Sequence, residues 1–165
     1  MHDIQIRDAV AADMPAIRDI YNDAVENSTA IWNEIVVDAA NRLDWWRARL
    51  ALGYPVLVAD RDGTVLGYAS FGDFRPFDGY RHTAEHSVYV AAGGRGLGIG
   101  TLLLGALEAR ARAIGKHVLI GGVEAGNDAS MALHRRMGFI ETGRLREVGR
   151  KFDRWLDLVF MQKTL

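Results

Sequence analysis

The chain contains no cysteine and only three prolines among its 165 residues. Without thiols it has no disulfide framework, no cysteine nucleophile and no cysteine-ligated zinc. An excess of positive charge is missing too, since 20 basic and 21 acidic side chains give a net charge of −1. General nucleic-acid binders carry a basic surface, so this balance argues against nucleic acid as a partner.

Long apolar runs are also absent. The N-terminus, residues 1–4, has no basic segment leading into an apolar stretch and predicts an edge strand rather than a signal peptide. No apolar run approaches the roughly 20 residues that cross a bilayer. We therefore predict a cytoplasmic protein without a membrane partner. Because no linker or repeat interrupts the sequence, we expect one domain over residues 1–165.

Two helices are predicted in the first third of the chain. Asp13 and Asp38 are each expected to cap a helix, the first ending at Glu26 and the second at Gly53. Apolar side chains recur on one face of each helix, and the polar loop between the helices contains an exposed apolar pair. The residues expected to face inward are Met14, Ile17, Ile20, Tyr21, Ala24 and Val25, then Leu43, Trp46 and Leu50, and the exposed pair is Ile31 and Trp32.

A hairpin, further strands and two more helices are predicted after residue 54. The resulting order, β-α-α-β-β-β-α-β-α-β-β, indicates an α/β architecture in which helices cover the faces of a mixed sheet. The strands are expected at 55–59, 65–74, 84–90, 117–123, 139–145 and 154–162, and the helices from the glycine-rich stretch 93–100 to Gly115 and at 128–137.

The glycine-rich stretch carries the most information about function. It lies between a predicted strand and a predicted helix, where backbone N–H groups and the helix N-terminus suit a phosphate or pyrophosphate. The dinucleotide fingerprint fails because residue 101 is threonine, and the P-loop fails because no Gly-Lys-Ser or Gly-Lys-Thr occurs. The segment that fits is Arg95-Gly96-Leu97-Gly98-Ile99-Gly100, an R-x-x-G-x-G pattern. A glycine loop without a ligand is the alternative.

This pattern resembles the acetyl-CoA pyrophosphate loop of the GNAT acetyltransferase superfamily. The second signature of that superfamily, an asparagine and then a helix ending in Gly-Phe, is matched by Asn127 and by Gly138-Phe139. Four further segments resemble the branch that acetylates phosphinothricin and methionine sulfoximine, and the similarity runs from about Ile4 to the C-terminus. These segments are residues 29–34, 83–90, 132–134 and 149–157.

The resemblance implies a GNAT fold, with a central mixed sheet flanked by about four helices. It implies acetyl-CoA as co-substrate, no metal, and a homodimer. The implied reaction is direct acetyl transfer, in a ternary complex, to the α-amino group of methionine sulfoximine, methionine sulfone or phosphinothricin. Two alternatives stay open: the same fold acetylating protein or peptide N-termini, and a non-catalytic acyl-CoA sensor.

Acetyl transfer to an amine requires a proton acceptor, because an α-ammonium group is protonated at neutral pH. The resemblance implies Glu85 as this base and His134, where most of the superfamily has tyrosine, as a second proton-handling group. A surface carboxylate, an ordinary helix histidine and, for Asn127, a simple helix cap are the alternatives. The residues implied to bind acetyl-CoA are Val88, Tyr89, Val90, Arg95, Gly96, Leu97, Gly98, Ile99, Gly100, Thr101 and Asn127.

An amino-acid substrate also needs a cation for its carboxylate, and the planar fork of Arg75 suits that role. Arg81 is a weaker candidate in the same loop. The remaining predicted substrate residues are Pro76, Phe77, Glu85, His86 and Ser87, with Trp32 and Asn33 closing one side and Lys151, Phe152 and Trp155 implied to reach a partner subunit.

One competing motif is H-x-x-E-H, from His82 to His86, which matches the inverted zinc-protease signature. That chemistry requires both histidines on one face of a helix. The segment instead continues into alternating Ser-Val-Tyr-Val, a strand pattern in which only residues two apart share a face. We therefore expect no metal site here.

Overall fold

The computed structural model describes residues 3–165, so Met1 and His2 of the predicted edge strand lie outside the described residues. Within residues 3–165 the chain forms seven strands and four α-helices, in the predicted order. No helix of this range is long and apolar enough to cross a membrane. The strands are β1 (Gln5–Asp8), β2 (Val56–Arg61), β3 (Thr64–Asp73), β4 (Thr83–Val90), β5 (Val118–Glu124), β6 (Ile140–Lys151) and β7 (Arg154–Thr164), and the helices are α1 (Met14–Asn27), α2 (Ala39–Ala51), α3 (Ile99–Ala113) and α4 (Asp128–Arg136).

The strands form one sheet in the order β1-β2-β3-β4-β5-β7-β6, with β1 at its edge as predicted. β4 and β5 run parallel, whereas the other neighbouring strands are antiparallel. Pairing of β4 with β5 begins at Thr83 and Val118 and ends at His86 and Gly121. Beyond that pair the two strands separate. Because α3 follows β4 and α4 follows β5, both helices begin near the resulting cleft.

The sheet separates two apolar clusters. One lies on the face covered by α1 and α2, the α1/α2 face, and the other on the face covered by α3 and α4, the α3/α4 face. Strand side chains alternate between the faces. In β2, for example, Val56 and Val58 belong to the first cluster, and Leu57 and Ala59 belong to the second. The same alternation decides which face each residue of the site occupies.

The packing of the first helix agrees with the prediction, and that of the second agrees in part. The residues of α1 expected to face inward are buried or half-buried. Leu43 and Trp46 of α2 pack against the same cluster, but Leu50 is 47% exposed because α2 packs mainly on α1 rather than on the sheet. Ile31, expected to be exposed, is buried, because Lys151 donates a hydrogen bond to its carbonyl and holds the loop inward.

Of the two predicted helix caps, one is confirmed. Asp38 accepts a hydrogen bond of 2.8 Å from the backbone N–H of Asn41. Asp13 precedes α1, but its carboxylate accepts hydrogen bonds from Arg7 and from the N–H of Val10 instead. The guanidinium of Arg7 lowers the pKa of the Asp13 carboxyl. Asp13 therefore connects β1 to the start of α1 rather than capping the helix.

Candidate active site

A cleft of about 1050 Å³ opens where β4 and β5 separate. β4 continues to pair with β3 through Val90, but beyond His86 its other edge has no strand partner among the described residues. Val88, Tyr89 and Val90 line the cleft along this edge. An extended ligand can add to such an edge through main-chain hydrogen bonds, as a further strand would.

The loop from β4 to α3 contributes a row of backbone N–H groups. For residues 96–101, none of these groups has a hydrogen-bond acceptor within the part of the chain that the structure describes. Gly96 and Gly98 adopt left-handed conformations, with φ of 77° and 75°, which a side chain at either position would strain. Unpaired N–H groups at the start of a 15-residue helix attract anions. This is the arrangement expected of a pyrophosphate site.

Arg95 and Leu97 are the long side chains among the glycines of this loop, and they lie in different places. Arg95 and Asp23 of α1 both line the cleft, and Arg95 Nη2 lies 3.7 Å from the Asp23 carboxylate. Leu97 is exposed and does not line the cleft, so only its backbone N–H belongs to the row. The other predicted members of the segment that line the cleft are Gly96, Gly98, Ile99, Gly100 and Thr101.

Asn127 lies at the start of α4, on the opposite side of the cleft. Its Oδ1 accepts a hydrogen bond of 3.1 Å from the N–H of Ser130, which confirms the helix cap. Its side-chain Nδ2 has no acceptor among residues 3–165, and Asn127 lines the cleft. The same side chain can therefore cap the helix and donate a hydrogen bond to a ligand.

His86 and His134 form a buried pair at the narrow end of the cleft. Their Nε2 atoms are 2.9 Å apart, and both rings pack edge-on against Phe139. His134 Nδ1 lies 2.7 Å from the carbonyl of Ser130, which can only accept, so Nδ1 carries the hydrogen. Neutral His134 therefore has no hydrogen on Nε2, and His86 Nε2–H donates to it. His86 Nδ1 is then an acceptor, and it is buried without a partner.

Burial keeps this pair neutral. It lowers the pKa of His86 to about 3, and it also lowers the pKa of His134. Each imidazole has lost the water that would stabilise its charged form, and for His86 a charge on His134 adds repulsion. Proton donation by His134 requires an additional proton on the pair, which burial opposes. Its role as the general acid stays a prediction.

Glu85 occupies the α1/α2 face of β4. Burial raises the pKa of its carboxyl, while the nearby guanidinium groups of Arg75 and Arg49 oppose that rise. A Cβ atom built on Gly122 of β5 would lie 3.3 Å from Glu85 Oε1, so the carboxylate lies over that glycine. A carboxyl group with a raised pKa beside an open strand edge is a suitable proton acceptor.

Glu85 and His134 lie on opposite faces of the sheet. A Cβ atom on Gly121 would lie 2.7 Å from His134 Nε2 and 2.9 Å from His86 Nε2, whereas Glu85 lies over Gly122. The two predicted catalytic residues therefore meet β5 at adjacent glycines from opposite sides. The alternation also separates the predicted substrate residues of β4, since Ser87 shares the face of Glu85 and His86 does not.

The other predicted substrate residues lie in the exposed loop between β3 and β4. The Arg75 guanidinium lies 5.1 Å from the ring centre of Phe74 and close enough to Glu85 to affect its pKa. Pro76 and Phe77 are exposed and do not line the cleft. The weaker candidate, Arg81, donates to the carbonyl of Asp78 at the end of this loop.

The loop before α2 packs against the β6–β7 hairpin. The ring of Trp32 lies directly over Gly149, and its Nε1–H donates to the carbonyl of Thr29. Lys151 is buried, and its Nζ donates to the carbonyls of Ala24, Ser28 and Ile31 in its own chain rather than extending towards a partner subunit. Asn33 donates to the hydroxyl of Tyr21, Phe152 lines the cleft, and Trp155 is exposed.

Sequence reasoning overlooked Arg49 and the glycine pair of β5. Consecutive glycines inside a strand indicate a close approach by other groups, so the sequence could have identified Gly121 and Gly122 as part of the site. The sequence does not single out Arg49, because an arginine near the C-terminus of a helix is ordinary. Its guanidinium lies over Gly72 of β3, beside Glu85.

Comparison with known proteins agrees with this geometry. The model of the acetyltransferase (GNAT) family matches residues 16–139. The L-methionine sulfoximine/L-methionine sulfone acetyltransferase of Pseudomonas paraeruginosa is 60% identical over 161 residues, which cover 97% of this chain and 94% of that protein.

Two solved structures are similar over almost the whole chain. A structure described as ribosomal-protein-alanine N-acetyltransferase from Brucella melitensis has a TM-score of 0.96 and 60% identity, covering 98% of this chain and 99% of that one. A GNAT phosphinothricin acetyltransferase from Sinorhizobium meliloti, in complex with acetyl-CoA, has a TM-score of 0.94 and 39% identity, covering 98% and 88%.

Proposed function

This chain belongs to the acetyltransferase (GNAT) family, and from that premise we propose that it acetylates the α-amino group of small amino acids. The proposed acceptors are L-methionine sulfone, L-methionine sulfoximine and phosphinothricin, the compounds in the names of its relatives. One observation carries the proposal: a carboxylate with a raised pKa lies beside two guanidinium groups at the point where β4 and β5 separate.

Acetyl-CoA fits the cleft on two separate features. The N–H groups of residues 96–101 would bind the pyrophosphate, and the unpaired edge of residues 88–90 would bind the pantetheine arm. The amide of Asn127 adds a donor from the other side. When bound, acetyl-CoA supplies an acetyl group activated as a thioester.

Glu85 prepares the amine for attack. An α-ammonium has a pKa of about 8 or above, so at neutral pH it must lose a proton before its nitrogen can act as a nucleophile. The Glu85 carboxylate accepts that proton, directly or through one water molecule. The new N–C bond then forms as the C–S bond breaks, and the sulfur leaves with the electron pair as a thiolate. The nitrogen loses its second proton as the amide forms, and the thiolate takes up a proton to become the free thiol. Main-chain N–H groups of β4 stabilise the developing oxyanion.

Arg75 recognises the substrate as an amino acid. Its guanidinium is exposed, has no ion-pair partner among the described residues and lies near the base, so it is available for the α-carboxylate. A peptide N-terminus has no carboxylate at that position. The name of the Brucella relative makes a peptide acceptor the alternative to test.

Thiol release from acetyl-CoA tests the proposal. The acceptors are methionine sulfone, methionine sulfoximine, phosphinothricin, the twenty ordinary amino acids and a peptide that begins with alanine. We expect turnover with the first three and little with the peptide. Turnover with the peptide alone would transfer the assignment to N-terminal acetylation, and acetyl-CoA binding without any thiol release would favour a sensor.

We also propose a homodimer in the cytoplasm. The β6–β7 hairpin supports the dimer, because it exposes large apolar side chains that a monomer would leave in contact with water. Light scattering coupled to gel filtration measures the mass, and a monomer at micromolar concentration would contradict the dimer. The exposed apolar residues of the β6–β7 hairpin are Ile140, Leu145, Val148, Phe152 and Trp155.

A further inference from the structure

Arg49, near the C-terminal end of α2, lies flat on β3. A Cβ atom built on Gly72 would overlap Arg49 Nη1 and lie 2.8 Å from its Cζ, so the guanidinium occupies the space that a side chain at residue 72 would take. The guanidinium carbon Cζ of Arg49 lies 5.9 Å from the ring centre of Trp45. The glycine therefore brings a cation into contact with the sheet.

Among the described residues, this guanidinium has no hydrogen-bond acceptor and no ion-pair partner. Arg49 is half-buried, and burial lowers its pKa while Asp73, Tyr54 and Glu85 oppose that change from a distance. Within residues 3–165, it makes neither a hydrogen bond nor an ion pair. Arg7, by contrast, donates to both Asp13 and Asp60. A guanidinium has five N–H donors and no acceptor, and leaving such donors unpaired in a half-buried place is costly.

The position of Arg49 relates it to the proposed reaction. Gly72 pairs directly with Glu85 in the register of β3 and β4, and both face α1 and α2. Gly122, on the opposite side of Glu85, borders the cleft. In the register of β4 and β5, Glu85 pairs with Ile120, and its carboxylate lies over Gly122, two residues further along β5. Arg49 and the cleft therefore lie on opposite sides of Glu85, so an acceptor whose amine is at Glu85 has room to extend towards Arg49.

We propose that Arg49 is a specificity-determining residue that donates hydrogen bonds to the oxygens at the far end of the acceptor side chain, in a sulfone, sulfoximine or phosphinate group. The inference rests on the proposed function and leaves the α-carboxylate to Arg75. Two acceptor atoms on one tetrahedral centre match the two parallel N–H donors of a guanidinium. These atoms are two oxygens in a sulfone or phosphinate, and one oxygen and one imine nitrogen in a sulfoximine. The thioether sulfur of methionine is only a weak acceptor, so Arg49 separates oxidised from unoxidised side chains.

Three acceptors distinguish the group that Arg49 binds. L-Methionine sulfone has both the side-chain oxygens and the carboxylate, L-methionine lacks the oxygens, and L-methionine sulfone carboxamide lacks the carboxylate. Values of kcat/KM are measured by thiol release at saturating acetyl-CoA. An acceptor that turns over too slowly is measured as a competitive inhibitor against methionine sulfone.

The Arg49→Met variant keeps an apolar chain over Gly72 and removes all donors. We expect kcat/KM for methionine sulfone to fall about 10- to 100-fold, mainly through KM, because charge-assisted hydrogen bonds to the acceptor are lost. The carboxamide should show the same fall, and methionine should change less than about threefold. Arg49→Lys keeps the charge without the fork and should give an intermediate loss.

Three results would overturn the inference. Equal losses for methionine sulfone and methionine would mean that Arg49 does not bind the oxygens. If Arg49→Met lowers kcat/KM for methionine sulfone but not for the carboxamide, Arg49 binds the α-carboxylate instead. If the variant has the kcat/KM of wild type for methionine sulfone, Arg49 has no role in acceptor binding. If wild type releases no thiol with methionine sulfone, the proposed function fails instead. Arg47→Met, an exposed position on the same helix, is the matched control.

Folding is checked separately for each variant. Thermal unfolding and the Kd for acetyl-CoA should be close to those of wild type, since the Arg49 guanidinium makes no hydrogen bond or ion pair with another described residue and does not line the acetyl-CoA cleft. If Arg49→Met fails to fold, Arg49→Lys alone carries the test. A lysine variant as active as wild type on methionine sulfone would then contradict bidentate recognition.

Discussion

The two faces of the sheet hold ionisable groups in different chemical states. On the α1/α2 face, Glu85, Arg49 and Arg75 are ionisable groups that water reaches, and none forms an ion pair with another described residue. On the α3/α4 face, His86 and His134 are buried, hydrogen-bonded to each other and neutral. One face keeps charged groups available for a ligand, whereas the other holds two imidazoles that are hydrogen-bonded to each other.

This difference assigns different tasks to the two faces. Burial favours the neutral form of any ionisable group, so it raises the pKa of the Glu85 carboxyl and lowers that of His134. A base with a raised pKa can hold the proton of an ammonium, whereas a neutral imidazole pair provides shape without charge. Gly121 and Gly122 make both arrangements possible within one strand.

Replacement of Glu85 by glutamine tests the charged face most directly. The amide keeps the size of the side chain but cannot accept the proton, so we expect kcat to fall about 10²- to 10⁴-fold with little change in the Kd for acetyl-CoA. Steady-state kinetics and calorimetry measure the two quantities, and Glu26→Gln, exposed on α1, is the control. A loss of only a few-fold would mean that Glu85 is not the base.

Alanine at the two adjacent glycines of β5 separates the faces from each other. Gly121→Ala places a methyl group within 2.7–2.9 Å of both imidazole Nε2 atoms, and we expect about 1–3 kcal/mol of lost stability in urea unfolding. Gly122→Ala meets the movable Glu85 carboxylate at 3.3 Å, so it should cost less than about 1 kcal/mol but reduce turnover. The opposite ranking in stability would contradict the placement of a packed histidine pair over Gly121 and of a movable carboxylate over Gly122.

The neutral histidine pair predicts loss of stability in acid. Because the pKa of His86 is about 3 in the folded chain and about 6.5 when unfolded, the unfolded state binds more protons below pH 6.5. Stability from this residue is complete above pH 6.5 and decreases as the pH falls towards 3. Between pH 7.5 and pH 5, His86 alone should cost about 2 kcal/mol in the free energy of unfolding.

Urea unfolding across that pH range measures the effect. The double variant His86→Leu and His134→Leu is the comparison, because it keeps the apolar packing around Phe139 and removes both titrating groups. Its stability should change less with pH than that of wild type. Identical slopes for the two proteins would show that the imidazoles are not held neutral.

Local pattern was sufficient to predict most of the fold. The order of strands and helices follows from periodicity and glycine placement, and it is confirmed. The GNAT family was implied by the resemblance of two motifs, and it is confirmed as well. The end of β6 was predicted too early, at residue 145 instead of Lys151. Register shifts in its pairing with β7, between Glu141 and Gly143 and between Leu145 and Gly149, break the alternation on which strand prediction depends.

The parts of the site that escaped prediction depend on contacts between distant segments. The burial of Lys151 at the C-terminal end of α1 and the placement of Arg49 over Gly72 join residues that are far apart in sequence. The tautomer of His134 likewise depends on His86 and on the carbonyl of Ser130. A residue type and its local pattern indicate what a group can do, but its partners decide what it does.

The smallest expected effect concerns the ion pair that faces across the mouth of the cleft. Arg95 and Asp23 are 3.7 Å apart and both partly exposed, so their attraction is worth at most about 1 kcal/mol. Asp23→Asn should leave thermal stability unchanged and release Arg95 for the pyrophosphate. We expect the Kd for acetyl-CoA to fall about two- to fourfold in dilute buffer. The gain should disappear in about 0.5 M salt, because the Debye length is then only a few ångströms and exposed charges are screened from one another. Calorimetric titration measures both values, with Asp19→Asn, exposed on the same helix, as the control. Weaker binding of acetyl-CoA by the Asp23→Asn variant would instead mean that the Asp23 carboxylate contacts the nucleotide directly.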